Sequence, residues 1–256
     1  MSTKPTLAHD LALALDPAQL MHACGLTPDP WQQDMLRSTA DRRLLLASRQ
    51  SGKSATTACL ALHTALYQPD SLVLLLSPSL RQSQELFKKV QGAYRVLHNP
   101  PPLAAESALR YEFVHGSRIL ALPGLENTVR GYSGVDLLIV DEAARVADDL
   151  YFAIRPMLAV SHGRLVALST PFGKRGWFHH EYMEGQGWER IMITAYDCPR
   201  IRQEFLAEEQ RSMPAMVFAA EYLCEFTDTQ DNVFAYADIK AAISADVQPL
   251  FPEGVA

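Results

Sequence analysis

The 256 residues, 48% hydrophobic and 20% charged, are enough for one sizeable core, or one core with a small appendage. No apolar run approaches the roughly 20 residues that span a bilayer, and the amino terminus lacks the basic-then-apolar pattern of a signal peptide, so a soluble, intracellular chain without membrane contact is expected. A net charge of −6 argues against a dedicated nucleic-acid-binding domain and leaves any such contact to local patches. Arg81 with Lys88 and Lys89, and Lys174 with Arg175, are the visible ones; from charge alone each reads as a solvated face.

In chain order, residues 1–30 are Ala/Leu-rich with Pro5, Pro17, Pro28 and Pro30, which predicts short helical pieces. Cys24, Cys59, Cys198 and Cys224 are scattered, with no zinc-ligand spacing, and are expected to be reduced and mostly buried. Arg43 to Ser48 reads as a short buried strand, a polar loop follows, and Ser54 to Tyr67 has helical spacing. Leu72 to Leu76 is a second buried strand, with a helix over Ser79 to Val90. Tyr111 to Leu122 predicts a hairpin turning at His115-Gly116. Leu137 to Val140 and Leu165 to Leu168 are further apolar runs, each ending at a polar tip. Trp31 and Trp177 read as packing residues, and His179-His180 as a surface pair.

Apolar strands alternating with helices imply a mostly parallel sheet covered on both faces, with function at the carboxyl ends of the strands. From Ile201 to Phe226 the sequence turns to helices rich in Arg, Glu and Gln. The expected division is a core over residues 1–195, then a small helical lid subdomain and linker over residues 196–256.

Chemistry concentrates at three strand tips. Ala47, Ser48, Arg49, Gln50, Ser51, Gly52, Lys53 and Ser54 fit G-x-x-x-x-G-K-[ST] except that Ala47 replaces the first Gly. Such a loop aims backbone N–H groups at phosphate oxygens, with Lys53 reaching the β- and γ-phosphates and the Ser54 hydroxyl binding Mg2+. Leu137 to Glu142 is an apolar strand delivering Asp141 and Glu142 together. Adjacent residues on an extended chain point in different directions, so Asp141 can serve Mg2+ while Glu142 polarises the attacking water. Ser169 and Thr170 end another strand, where they would sense the γ-phosphate or simply begin a turn at Pro171. Arg49 either stabilises γ-phosphate charge or pairs with an acid across the loop.

These blocks, in this order, resemble the large terminase subunit of tailed bacteriophages and prophages, over roughly residues 28–235. Asp29 to Gln33 looks like the family's adenine-recognition segment, with Gln32 at the matching position, and the loop at Ser48 to Ser54 looks like its variant P-loop, in which the first Gly is commonly absent and an Arg follows the Ser. Leu76 to Ser79 with Arg81-Gln82 is similar to a segment shared with helicases, and Thr128 to Gly131 precedes the acidic strand as in terminases. Leu168 to Phe178 resembles the coupling motif, and Glu221 to Phe226 the segment closing the ATPase domain. The resemblance implies a P-loop NTPase fold of RecA or helicase type, with residues 1–195 as the ATPase core of a motor domain using ATP and Mg2+. Its partners would be double-stranded DNA, the portal protein, the small terminase subunit and further copies of itself in a ring on the procapsid, in the cytoplasm of the infected bacterial host. It also implies that Arg130 is offered to a neighbouring subunit as an arginine finger, a structural salt bridge being the alternative. Large terminases generally continue into a nuclease of ribonuclease H type; here the chain stops where that domain would start, and no nuclease activity is expected of it. Two other readings remain open at this point: a helicase-like translocase, and a nucleotide-binding assembly module.

Overall fold

The computed structural model describes residues 7–124, 129 and 131–227. Three short helices, α1 (Leu7–Leu15), α2 (Pro17–Ala23) and α3 (Pro30–Arg37), lead into β1 (Arg42–Ala47). Asp16 caps α2 through its side chain, and α3 opens with a capping box between Asp29 and Gln32, each helix carrying Pro in its first turn. There follow α4 (Lys53–Tyr67), β2 (Leu72–Ser77), α5 (Leu80–Val96), β3 (Leu103–Glu106), β4 (Arg110–Phe113), β5 (Arg118–Pro123) and β6 (Leu137–Asp141). The described chain continues with α6 (Asp148–Ile154), β7 (Arg164–Ser169), α7 (Gly176–Met183), β8 (Glu189–Ile193), α8 (Gln203–Ser212) and α9 (Ala215–Tyr222).

One eight-stranded sheet forms among these residues, in the order β3-β4-β5-β2-β6-β7-β1-β8. The run from β5 to β8 is parallel throughout, and β3 and β4 extend it as an antiparallel edge. Alternation along the strands assigns their side chains to two cores. Leu45, Val73, Leu75, Ile139 and Leu168 face the layer made by α2 to α5, whereas Leu44, Leu74, Leu138, Val140 and Ala167 face α6 and α7. The helix-covered, mostly parallel sheet is the expected fold class.

Differences from the sequence reading are local. Ser79 is the N-cap of α5, and that helix runs on to Val96 rather than ending at Val90. The edge strands β3 and β8 were not anticipated. All four cysteines are free and buried. The expected surface pair divides: His180 is exposed, whereas His179 is buried with its ring 4.8 Å from that of Phe226. Consecutive helical residues lie about 100° apart around the axis, so one ring faces the core and the next does not. Trp177 is a packing residue, stacked on Tyr151 at 4.1 Å.

Arg43 is fully buried beneath the sheet. Its Nη1 donates to the Met35 carbonyl at 2.6 Å and its Nε to the Ala40 carbonyl at 3.2 Å, so it satisfies an orphan carbonyl in the last turn of α3. Burial, with nearby Arg164 adding, brings its pKa down to about 10.

Candidate active site

At the carboxyl end of β1 the chain leaves the sheet as a loop over residues 48–52. Ser48 N donates to Ile193 O of β8 at 2.8 Å, and Ser51 Oγ to Ser48 O at 2.9 Å, closing the loop on itself. Gln50 and Gly52 have φ of 60° and 94°. A Cβ on Gly52 would lie 2.8 Å from Gln32 Nε2 and 3.2 Å from an Arg200 nitrogen, so this position needs glycine for space as well as conformation. Lys53 begins α4, whose free N–H groups and dipole make the loop mouth an anion site.

Between β1 and β6 lies only β7 in the sheet, and this brings the two motifs into contact. Ser54 Oγ donates to Asp141 Oδ2 at 3.3 Å, and Lys53 Nζ lies 3.7 Å from Glu142 Oε1. Glu142 itself adopts φ 51°, the left-handed region, which turns its side chain out of line with the strand. Asp141 is buried, and burial first, then the Glu142 charge, push its pKa up to about 6, with Lys53 opposing. Two neighbouring hard oxygen donors held so close suit a divalent cation that takes its remaining ligands from phosphate and water, as Mg2+ does.

Gln32 sits behind the loop. Its Oε1 accepts from Asp29 N at 2.8 Å and its Nε2 donates to Thr56 Oγ1 at 2.8 Å. Arg200 closes the same corner, donating to Asp29 Oδ1 at 2.7 Å and to Ser51 O at 2.9 Å. Arg49 is paired with Glu221 of α9, and its backbone N also donates to Glu221 O at 3.3 Å. The pair raises the Arg49 pKa further. Ser169 and Thr170 are buried at the β7 tip, and Ser169 Oγ has no hydrogen-bond partner among the described residues. Arg145 donates to Glu142 Oε2 at 2.8 Å and to Thr170 Oγ1 at 3.3 Å.

Of the residues singled out from sequence, Gln32, Ser48 to Ser54, Asp141, Glu142, Ser169 and Thr170 gather at one end of the sheet. Arg130 lies outside the described residues. Arg145 and Arg200 were missed, because their partners come together only in the fold. Arg145 had one available signal, its position three residues after Glu142.

A family profile described as "Terminase large subunit, T4likevirus-type, N-terminal" matches residues 44–241. The chain belongs to this terminase family. Terminase large subunits of Thermus phage G20c and Thermus virus P23-45 are each 26% identical over 252 residues, covering 84% of this chain. The chain spans 52% of the length of each. The large terminase ATPase domain of Thermus phage P74-26 superposes with a TM-score of 0.69 at 24% identity, covering 81% of this chain and 97% of that domain. The large terminase of another thermophilic bacteriophage, solved in complex with ADP, gives 0.65 at 13% identity over 78% of this chain and 54% of its own. These structures share the fold of this terminase chain.

Proposed function

We propose that this chain is the ATPase motor of a phage packaging machine, which binds Mg-ATP at the carboxyl end of the sheet and couples its hydrolysis to translocation of double-stranded DNA into a procapsid. One observation carries the reading: the loop ending in Lys53-Ser54 and the acidic pair Asp141-Glu142, 88 residues apart in sequence for Lys53 and Asp141, meet through a Ser54–Asp141 hydrogen bond and a Lys53–Glu142 ion pair. Membership of the terminase family and the shared fold support it.

In this reading the loop N–H groups and Lys53 hold the phosphates, and Ser54 and Asp141 hold Mg2+. The metal would supply charge neutralisation of the β- and γ-phosphates. Glu142 takes the proton of the attacking water, Gln32 faces the adenine, and Ser169 and Thr170 register the γ-phosphate. Arg49 reaches that phosphate only after leaving Glu221, and Arg130 acts across a subunit boundary. The core is assigned to residues 1–195 and the helical lid subdomain with its C-terminal linker to residues 196–256, with the portal, the small terminase subunit and further copies of the chain as partners.

The test is ATP turnover and nucleotide binding by the wild type and two variants. Glu142→Gln should bind Mg-ATP normally and lose about two orders of magnitude in turnover, because it removes the group acting on water. Lys53→Ala should weaken binding itself. A Glu142→Gln chain that hydrolyses ATP at the wild-type rate would refute the assignment.

A further inference from the structure

The turn that follows Glu142 adds a contact that neither motif requires. Residues Ala143–Arg145 form a 3-10 turn closed by Arg145 N donating to Glu142 O at 2.9 Å. In 3-10 geometry positions i and i+3 eclipse, so Arg145 comes back over Glu142. Its Nη1 donates to Glu142 Oε2 at 2.8 Å and to Thr170 Oγ1 at 3.3 Å, while its guanidinium carbon lies 4.5 Å from the centre of the Phe172 ring. The other carboxylate oxygen, Oε1, faces Lys53 at 3.7 Å.

Each oxygen of Glu142 therefore has its own cation, one from the phosphate loop and one tied to the tip of β7. An ordinary i,i+3 surface pair contributes little, because both side chains remain free to wander. Arg145 differs in being about three-quarters buried and anchored at three points by a flat, forked group that both stacks and donates. A glutamate with three side-chain torsions samples many rotamers in solution, and a carboxylate acting on water is effective only in the few that reach it.

We infer that Arg145 is a positioning residue: it fixes the Glu142 carboxylate and ties it to Thr170 and Phe172 on the neighbouring strand tip, so that alignment of the base depends on the state of that tip. The inference rests on Glu142 being the base, as proposed above. The tip of β7 is also where Ser169 and Thr170 stand, so Arg145 adds a side-chain route from that segment to Glu142 beside the β6–β7 pairing that reaches Asp141.

Steady-state ATP turnover of wild type, R145A, R145K, T170V and E142Q, with the double variant R145A/E142Q, tests this. R145A should lower kcat roughly ten- to a hundredfold, the scale of a small misplacement of a reacting group, and leave KM for ATP within about a factor of two. R145K keeps a cation near Oε2 and loses the planar stack, so it should recover part of kcat. T170V should show a smaller loss of the same kind. In the E142Q background R145A should have little further effect, since the group it positions is gone. Equal kcat losses from R145A in both backgrounds, or a loss confined to KM, would make Arg145 a structural residue and overturn the inference. Wild-type kcat in R145A beside an impaired E142Q would overturn it while leaving the base assignment standing. Normal turnover by E142Q would remove both.

Discussion

Gly52 has φ 94° and no room for a Cβ beside Gln32, so Gly52→Ala is expected to lower stability by about 1–2 kcal/mol and to weaken ATP binding as Gln32 leaves Thr56. Thermal unfolding and a nucleotide titration check both, and an unchanged nucleotide affinity would separate Gln32 from the loop. Burial holds the Cys224 thiol up at about 12, Lys53 opposing only in part, and its Sγ donates to the Ile193 carbonyl at 3.2 Å. Thiolate is the reactive form, so Cys224 should be inert to a thiol reagent at neutral pH in the folded chain and reactive once unfolded; prompt labelling of the native protein at that residue, read by peptide mapping, would contradict this. At this scale the sequence exposes residues whose neighbours in chain form a spacing pattern. Lys53 and Ser54 stand beside Gly52, and Asp141 beside Glu142, so both sets are visible. Arg200 bonds Asp29 across 171 positions and Arg49 meets Glu221 across 172, and no local pattern announces such partners.

Helix α9 touches the phosphate loop through Glu221, which joins the last of the described helices to the first catalytic element. The Arg49 side chain in that pair is 61% exposed, so the pair contributes at most about 1 kcal/mol and a triphosphate can compete for the arginine. Glu221→Gln is therefore expected to leave the thermal midpoint nearly unchanged while tightening ATP binding, measured by titration with a fluorescent ATP analogue; a large loss of stability with no change in affinity would show that the contact only holds α9. Of the strands that were legible, β1, β2, β6 and β7 are buried on both faces and so read as unbroken apolar runs, and β4 and β5 read as a hairpin about its turn. The strands that were not legible are edges. β8 has one strand neighbour and the sequence Glu-Arg-Ile-Met-Ile, with its first two residues in solvent, and β3 is four residues containing two alanines. Neither shows a clean period of two, because half of the sheet environment that would impose it is missing.

For the whole molecule, the proposal of a ring makes concentration a variable. If Arg130 acts in trans, hydrolysis per chain should rise with protein concentration, and a mixture of Arg130→Ala and Glu142→Gln chains should regain some turnover, because a mixed interface can join an intact finger to an intact base. A mixture without rescue, with Arg130→Ala also less stable, would assign Arg130 to the fold. A quite different consequence follows from Arg43, buried at the far end of the sheet. It clamps the end of α3, whose first turn carries Gln32, to the strand that runs into the phosphate loop. The distance between the group proposed to read the base and the loop proposed to hold the phosphates is thus held by a strut that touches neither, as well as by the direct Gln32–Thr56 bond. Arg43→Met removes the donor to the Met35 and Ala40 carbonyls, so it should lower the thermal midpoint and, in the folded protein, choose less sharply between ATP and GTP. Nucleobase fidelity would then be a matter of stiffness, supplied from the end of the sheet opposite the phosphate loop, and an unchanged ATP-to-GTP preference in Arg43→Met would show that α3 is held by its apolar packing alone.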